Sequence, residues 1–355
     1  MDNLLGKSIS IILENQAPSG AYIASPNFLP YRYCWFRDGS FTAYAMDLVG
    51  EKESAQRFHD WAAARINERE HTVEKAISRF KSHLPLAGSD YLYTRYKLDG
   101  SDALDEDWPN FQLDGFGTWL WALNEHRRIN SLELSDNLLK AASLTAEYLE
   151  AMWPSPCFDC WEENPDQVHP YTLAAIYGGL AAHGELSSHL HTSTLGAIRS
   201  FILDKWAYKG YFVKFSGSPQ VDASLLGLST PYRVFEPDSD LMKETARQIE
   251  IALTCGGGIR RYDSDTYYGG GEWVLLSAWA GWHAAESGDP RGIQKAHQVL
   301  DWVENQFQDG GLPEQIPANL NNPAYFAVWN RRWGKIALPL LWSHANHIIL
   351  KKKLG

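Results

Sequence analysis

The chain has 355 residues, 45% of them hydrophobic, and a net charge of −11. That is ample for a large core, and an acidic balance with no basic stripe beyond Lys351-Lys352-Lys353 argues against nucleic acid or anionic membrane as a partner. No apolar run approaches the roughly 20 residues needed to span a bilayer, and the start, MDNLLGKSISIILENQ, lacks signal-peptide features. A single cytoplasmic domain over residues 1–355 is therefore expected.

Helical periodicity recurs along the whole chain while strand signals are scarce. It predicts helices over approximately 3–15, 39–50, 52–68, 115–128, 135–152, 171–184, 187–205, 221–229, 238–254, 273–286, 290–307 and 338–352. Ser135-Asp136 and Asp289-Pro290 supply recognisable starts, and Pro339 sits near the first turn of the last helix. The even-numbered helices are apolar on most sides (FTAYAMDLVG, TWLWAL, TLAAIYGGLAA, DASLLGL, WVLLSAWAGW, LPLLWSHANHII), and the odd-numbered ones carry a charged face. A helix apolar all round is buried and an amphipathic one faces solvent. Six inner and six outer helices in strict alternation describe an all-α fold, the (α/α)6 barrel.

In such a barrel the inner helices run parallel, so the loops entering them meet at one mouth. Those loops hold the polar and aromatic motifs: Trp35-Phe36-Arg37-Asp38, Trp108 to Gly115, Asp159 to Glu163, Arg261 to Trp273, and Leu312-Pro313-Glu314-Gln315. Helix N-termini add positive potential that suits carboxylates. Two of the segments, Cys157–Glu163 (CFDCWEE) and Gly310–Gln315 (GGLPEQ), present Glu residues in aromatic, Gly/Pro-framed loops. Cleavage of a glycosidic bond asks for two carboxyl groups, one to protonate the leaving oxygen and one to serve the other face of the sugar. The 15 Trp, 17 Tyr and 14 Phe fit the same reading, because flat apolar faces with polar rims suit sugar rings.

Each motif has a plainer reading beside this one. Arg37-Asp38 is also a helix-capping pair, and Trp35, Trp108, Trp161 and Trp273 could be core residues. Gly269-Gly270-Gly271 lacks the Gly-Lys-Ser/Thr of a phosphate loop and reads as a turn. His169 and His344 read as structural. Cys34, Cys157, Cys160 and Cys255 are too few for a disulfide framework, and the single CxxC has no partner motif for a metal or redox centre.

Taken together and in order, the motifs resemble those of glycoside hydrolase family 15, the glucoamylase-type enzymes, over nearly the whole chain. Tyr31-Arg32-Tyr33-Cys34-Trp35-Phe36-Arg37-Asp38 is similar to the family's Tyr-x-Tyr-x-Trp-x-Arg-Asp, which implies that Arg37 and Asp38 grip the terminal glucose. Trp108 to Gly115 resembles Trp-x-x-x-Gln-x-Asp-Gly, whose Trp lines the cleavage site. Phe158 to Glu163 follows aromatic-Asp-x-Trp-Glu-Glu, implying that Glu162 is the general acid and that Glu163, with Asp159 and Trp161 beside it, meets substrate. The run Arg261 to Trp273, with Tyr267, resembles a substrate-binding block; Pro313-Glu314-Gln315 matches the Glu-Gln of the general base; and Trp342-Ser343-His344 is similar to the opening of the last inner helix. The family's N-terminal β-sandwich region and starch-binding module have no counterpart here.

The resemblance implies an inverting, exo-acting α-glucosidase that needs no metal or organic cofactor and releases β-glucose from the non-reducing end of short gluco-oligosaccharides, isomaltose-like α-1,6 linkages slightly ahead of maltose-like α-1,4. Inversion requires the two carboxyl groups to stand roughly 6.5–9.5 Å apart, with room for a water. The oligomeric state is open, a monomer being compatible with the sequence. The rival readings are a non-catalytic sugar-binding regulatory domain on the same barrel and a disaccharide phosphorylase or trehalase.

Overall fold

The computed structural model describes residues 4–104 and 107–355. Among them the α-helices are α1 (Leu4–Glu14), α2 (Phe36–Leu48), α3 (Lys52–Asn67), α4 (Glu70–Lys81), α5 (Asp114–Asn130), α6 (Asp136–Met152), α7 (Pro170–Ser187), α8 (Thr192–Trp206), α9 (Asp240–Leu253), α10 (Val274–Glu286), α11 (Pro290–Glu304), α12 (Pro323–Trp333) and α13 (Leu341–Leu354). The predicted start of the first helix at residue 3 lies outside the described residues. Two-residue strands punctuate the loops: β1 (Cys34–Trp35), β2 (Arg95–Tyr96), β3 (Ala207–Tyr208), β4 (Tyr211–Phe212), β5 (Thr254–Cys255), β6 (Gly258–Ile259), β7 (Glu272–Trp273) and β8 (Gln315–Ile316).

The chain forms two compact units, one of residues 16–22 and 33–204, the other of residues 1–15, 23–32 and 205–355. In the first unit α2, α5 and α7 are buried along most of their length. Two glycines set the α5–α7 spacing. A Cβ on Gly117 would stand 2.3 Å from the Ala175 carbonyl oxygen, and one on Gly179 would stand 2.6 Å from that of Gly117. The helix backbones therefore touch, and any side chain at either position would pry them apart. The amphipathic α3 and α6 cover this layer, and α4 packs on α6. Ser135 caps α6 by accepting from the Leu138 N–H at 3.4 Å. Strand β1 pairs antiparallel with β2, Trp35 opposite Arg95, immediately before α2 begins.

In the second unit α10 and α13 are the apolar helices; α1 and α11 pack against them, and α9 packs against β4 and residues 223–228. Val299, Leu300 and Val303 of α11 pack with Val274 and Ala278 of α10 and Leu350 of α13. Asp289 caps α11 by accepting from the Arg291 N–H at 2.9 Å, with Pro290 at the first position as expected. A four-stranded antiparallel sheet, β5-β6-β7-β8, crosses the entrance to α10 and sets Trp273 opposite Gln315.

Three local expectations are corrected. The element expected over 221–229 is a six-residue 3-10 helix, Ala223–Leu228, capped by Asp222. The helix expected over 187–205 starts at Thr192, because Ser188 and His191 both take left-handed backbone angles. Two helices, α4 and α12, were not predicted. α4 carries a short apolar stripe, Val73, Ala76, Ile77 and Phe80, of which only Val73 and Ala76 are buried, and α12 buries no residue. No helix among the described residues is long and apolar enough to cross a membrane.

Candidate active site

Each unit holds one of the two predicted acidic residues on a loop, Glu162 ahead of the buried α7 and Glu314 just ahead of β8. In the first unit Glu162 lies in the loop before α7. Asp159 builds this loop: its Oδ1 accepts from the backbone N–H groups of Trp161 and Glu163, both at 2.9 Å, and its carbonyl accepts from the Glu162 N–H at 2.9 Å. The turn forces Glu162 to φ 66°, a left-handed conformation that a non-glycine residue adopts only when its surroundings insist. His169 closes the loop, its Nε2 lying 3.0 Å from both the Cys157 and Asn164 carbonyls. It is structural, as expected.

The Glu162 carboxyl is held from one side. Its Oε1 accepts from Trp35 Nε1 at 2.8 Å and from Gln112 Nε2 at 3.1 Å. Gln112 has no freedom to turn over. Its Oε1 takes a bond from Arg37 at 3.0 Å and one from Thr94 at 3.2 Å, while its Nε2 also donates to the Pro109 carbonyl at 2.7 Å. Arg37, 4% exposed, bonds Asp114 at 3.0 Å and faces Asp38 at 3.5 Å. Burial opposes the Arg37 charge, but Asp114, Asp38 and Glu162 outweigh it and hold the guanidinium well above its ordinary pKa. Burial also pushes the Asp38 carboxyl up to about 6; Arg37 pulls it down, while Glu162 and Asp114 raise it further.

Trp108 meets Trp35 edge-on at 5.8 Å, and the Arg95 guanidinium lies over the Trp108 ring at 3.9 Å and the Tyr33 ring at 4.0 Å. Such cation–π contacts stiffen the aromatic wall. The structure thus brings together Trp35, Arg37, Asp38, Trp108, Asp159, Trp161, Glu162 and Glu163 around the entrances to α2, α5 and α7. Sequence reasoning passed over Arg95, which sits on β2 in a stretch where no element was read. The aromatic-flanked run SDYLYTRY was the available signal. Asp159, expected beside the substrate, holds its own loop through Oδ1.

In the second unit Glu314 is 2% exposed and precedes β8. Its backbone is pinned on both sides, its N–H donating to the Ala337 carbonyl at 3.0 Å and its carbonyl accepting from Val274 at 3.1 Å. Upstream, the Leu312 N–H donates to His344 Nε2 at 2.9 Å, and the His344 Nδ1 is held by Ser8 Oγ at 2.8 Å. Gly311, at φ 107°, lets the loop pass, since a Cβ there would lie 2.6 Å from His344 Nε2. Burial lowers the His344 imidazole to about 3, with His347 adding to the effect, so the ring is neutral and accepts the bond. His344 is structural too.

Tyr31 donates to Glu314 Oε1 at 3.0 Å and shares a 3.0 Å hydrogen bond with the hydroxyl of Tyr267. With the Tyr31 proton committed to Glu314, the Tyr267 hydroxyl is the donor to Tyr31. Burial, followed by the nearby Glu314 carboxylate, keeps the Tyr267 hydroxyl protonated well beyond its usual range. Tyr267 lies against Trp273 at 5.9 Å and Trp329 of α12 at 5.0 Å. Arg261 bonds Asp265 at 2.8 Å and faces the Trp273 ring at 5.0 Å. Trp342, in the first turn of α13, leans on Trp279 of α10 at 6.3 Å. Trp329 and Asp265 were not among the predicted site residues. The first lies on an unpredicted helix, and the second was quoted only as part of a motif. Cys34, Cys157 and Cys160 are buried and Cys255 is partly buried, and none of the four is in a disulfide.

Residues 1–311 match the family described as Glycosyl hydrolases family 15. The isomaltose glucohydrolase of Kribbella flavida is 38% identical over 364 residues, covering 100% of this chain and 93% of that protein. A glycosyl hydrolase of Methanocaldococcus jannaschii is 29% identical, and there the match spans 93% of this chain and 52% of the relative. A wild-type glycosidase structure superposes with a TM-score of 0.93 at 38% identity, covering 99% of this chain and 96% of that one; a glycosidase variant solved with glucose gives 0.93 at 37%, with the same coverage. The Hormoconis resinae glucoamylase, at 16% identity and a TM-score of 0.70 over 99% of this chain and 72% of its own, agrees in fold alone. That fold is the all-α (α/α)6 barrel expected from the alternation of apolar and amphipathic helices. The chain belongs to glycosyl hydrolases family 15 and is a glycoside hydrolase.

Proposed function

We propose that the whole chain acts as one catalytic domain, an inverting, exo-acting α-glucosidase that releases β-glucose from short gluco-oligosaccharides, with Glu162 as general acid and Glu314 as general base. The observation that carries this reading is the asymmetric holding of Glu162. Its Oε1 already accepts two N–H bonds, so a proton on this carboxyl resides on Oε2. That is the atom left to donate to a glycosidic oxygen. Glu314 suits the complementary task, because Tyr31 donates to Oε1 and favours the carboxylate, which can take a proton from an attacking water. We assign substrate contact to Tyr31, Trp35, Arg37, Asp38, Trp108, Trp161, Glu163, Arg261, Tyr267, Trp273 and Trp342, and to Asp159 the holding of the acid's loop.

Among linkages we favour α-1,6, on the strength of the relative named for isomaltose, over α-1,4 and α,α-1,1. The expected result is a higher kcat/KM for isomaltose than for maltose, trehalose or a long dextran. Proton NMR of the first product should show the β-anomer before mutarotation. A first product in the α configuration defeats the inverting mechanism, and phosphate-dependent release of glucose 1-phosphate would point to the phosphorylase.

Asp38 gives a test through pH. Its raised pKa, about 6, means that substrate binding by the carboxylate weakens as pH falls through that value. KM should rise on the acid side, and Asp38→Asn should flatten that rise while lowering kcat/KM throughout. The stability sign is the opposite. The folded state takes up this proton more readily than the unfolded one, so its contribution to stability is full below pH 4 and is lost as pH rises through 6. Asp38→Asn should therefore melt higher than wild type at pH 7.5 and lose that advantage at pH 4.

A further inference from the structure

At the far end of α2 from Arg37 and Asp38, three titratable side chains meet in a place the proposed chemistry does not use. Asp47 lies in the last turn of α2, nine residues and about 14 Å of helix rise beyond Asp38. His59 comes from the middle of α3 and His126 from the last part of α5. The two imidazoles are 0% exposed and Asp47 is 3% exposed.

The cluster is only half satisfied. Asp47 Oδ1 meets His126 Nδ1 at 2.8 Å and accepts from Asn130 at 2.8 Å, while His126 Nε2 lies 3.0 Å from Gln56 Oε1. Both ring nitrogens of His59 and the second oxygen of Asp47 are buried without a hydrogen-bond partner. The two imidazole rings lie 4.9 Å apart. Three orphaned polar atoms at one buried spot demand an occupant, since desolvating such groups without compensation is costly. Each of the three residues offers a ligand atom, and these lie within 4.8 Å of one another. A tetrahedral zinc shell places its ligands roughly 3.4 Å apart, from metal–ligand bonds of about 2.0–2.2 Å, and side-chain rotation covers the difference.

We propose that Asp47, His59 and His126 form a buried structural site for a divalent transition-metal ion, zinc by its donor chemistry. His126 binds through Nδ1, where the ion replaces the proton now lying between it and Asp47. Its Nε2–H then donates to Gln56, the orienting partner that a metal-bound imidazole needs. His59 supplies a free lone pair, because burial, with His126 second, keeps its ring neutral. Nitrogen and carboxylate donors suit zinc; the second Asp47 oxygen or a buried water takes the fourth position, and enclosure by three helices leaves none for a substrate. The ion ties the C-terminal parts of α2 and α5 to α3, stabilising the layer whose opposite ends carry Arg37 and Asp114.

The test uses the full chain with any affinity tag removed, in a His189→Ala background. That change disables the half-exposed Glu150, His189 and His191 group, which also brings ligand atoms together. After unfolding with a chelator, protein refolded with excess zinc and dialysed should hold about one zinc per chain. It should melt at least about 5 °C above protein refolded with EDTA. Refolding with cobalt should give visible d–d absorption. Saturating kcat for glucose release should match between the zinc-loaded and metal-free forms at a temperature where both are folded. His59→Leu should abolish binding; in case it fails to fold, Asp47→Asn is the second variant, with metal content as its readout. No zinc retained by the refolded parent chain overturns the proposal, and so does zinc that stays bound at full stoichiometry in a folded His59→Leu chain. A melting temperature raised by His59→Leu and indifferent to zinc would mark the cluster as an unfilled polar pocket.

Discussion

Replacing Glu162 with Gln should lower kcat for isomaltose by about 10²–10⁴-fold, equivalent to about 3–5 kcal/mol of lost transition-state stabilisation. Folding should be spared. A glutamine keeps a carbonyl oxygen that can accept from both Trp35 and Gln112, so the anchor that fixes the side chain survives. What disappears is the proton. α-Glucosyl fluoride isolates that loss, because fluoride leaves without protonation. Glu162→Gln should therefore hydrolyse it within about tenfold of the wild-type rate while remaining crippled on isomaltose. Equal loss on both substrates would move Glu162 out of the acid role and make Glu163 the next residue to test.

The fold was largely legible because alternating apolar and amphipathic helices reflect a physical division between buried and solvent-facing elements. TLAAIYGGLAA could only be an inner helix, and it became α7, buried through to Gly184. What escaped were the pieces whose reason for being lies elsewhere in the chain. α12 buries nothing and is placed by Trp329 meeting Tyr267 and Tyr268. The short strands β1, β7 and β8 were invisible because two residues carry no periodicity, yet they aim Trp35, Trp273 and Gln315. The acidic segments were legible as candidates, but their holding was not. That Gln112 is oriented by Arg37 and hands its N–H to Glu162 is a three-body fact, and a sequence prints those residues 75 and 50 positions apart. His59 was equally silent. In KESAQRFHDWAAARIN it reads as one polar residue of an outer helix, and only the packing of α3 shows that it faces inward with its nitrogens unmet.

Glu314→Gln should separate the two carboxyl groups by failing on every substrate. The proposed base acts on water, whatever the leaving group, so both isomaltose and α-glucosyl fluoride should slow by about 10²–10⁴-fold. The protein itself should stay intact. The loop is held through its backbone, by Ala337 and Val274 on Glu314 and by His344 on Leu312, and a glutamine still accepts the Tyr31 hydroxyl. Removing a carboxylate that is only 2% exposed relieves desolvation, so the melting temperature should equal or exceed that of wild type. Tyr31→Phe provides the graded control. It keeps the ring against Phe28 at 4.6 Å but removes the donor to Glu314. A hydrogen bond to a charged group contributes about 1.5–3 kcal/mol, so kcat should fall by roughly 10–150-fold, less than for Glu314→Gln and by the same factor on both substrates. If Glu314→Gln hydrolysed α-glucosyl fluoride at near wild-type rates, water activation would belong to another group, and the inverting assignment would fall with it.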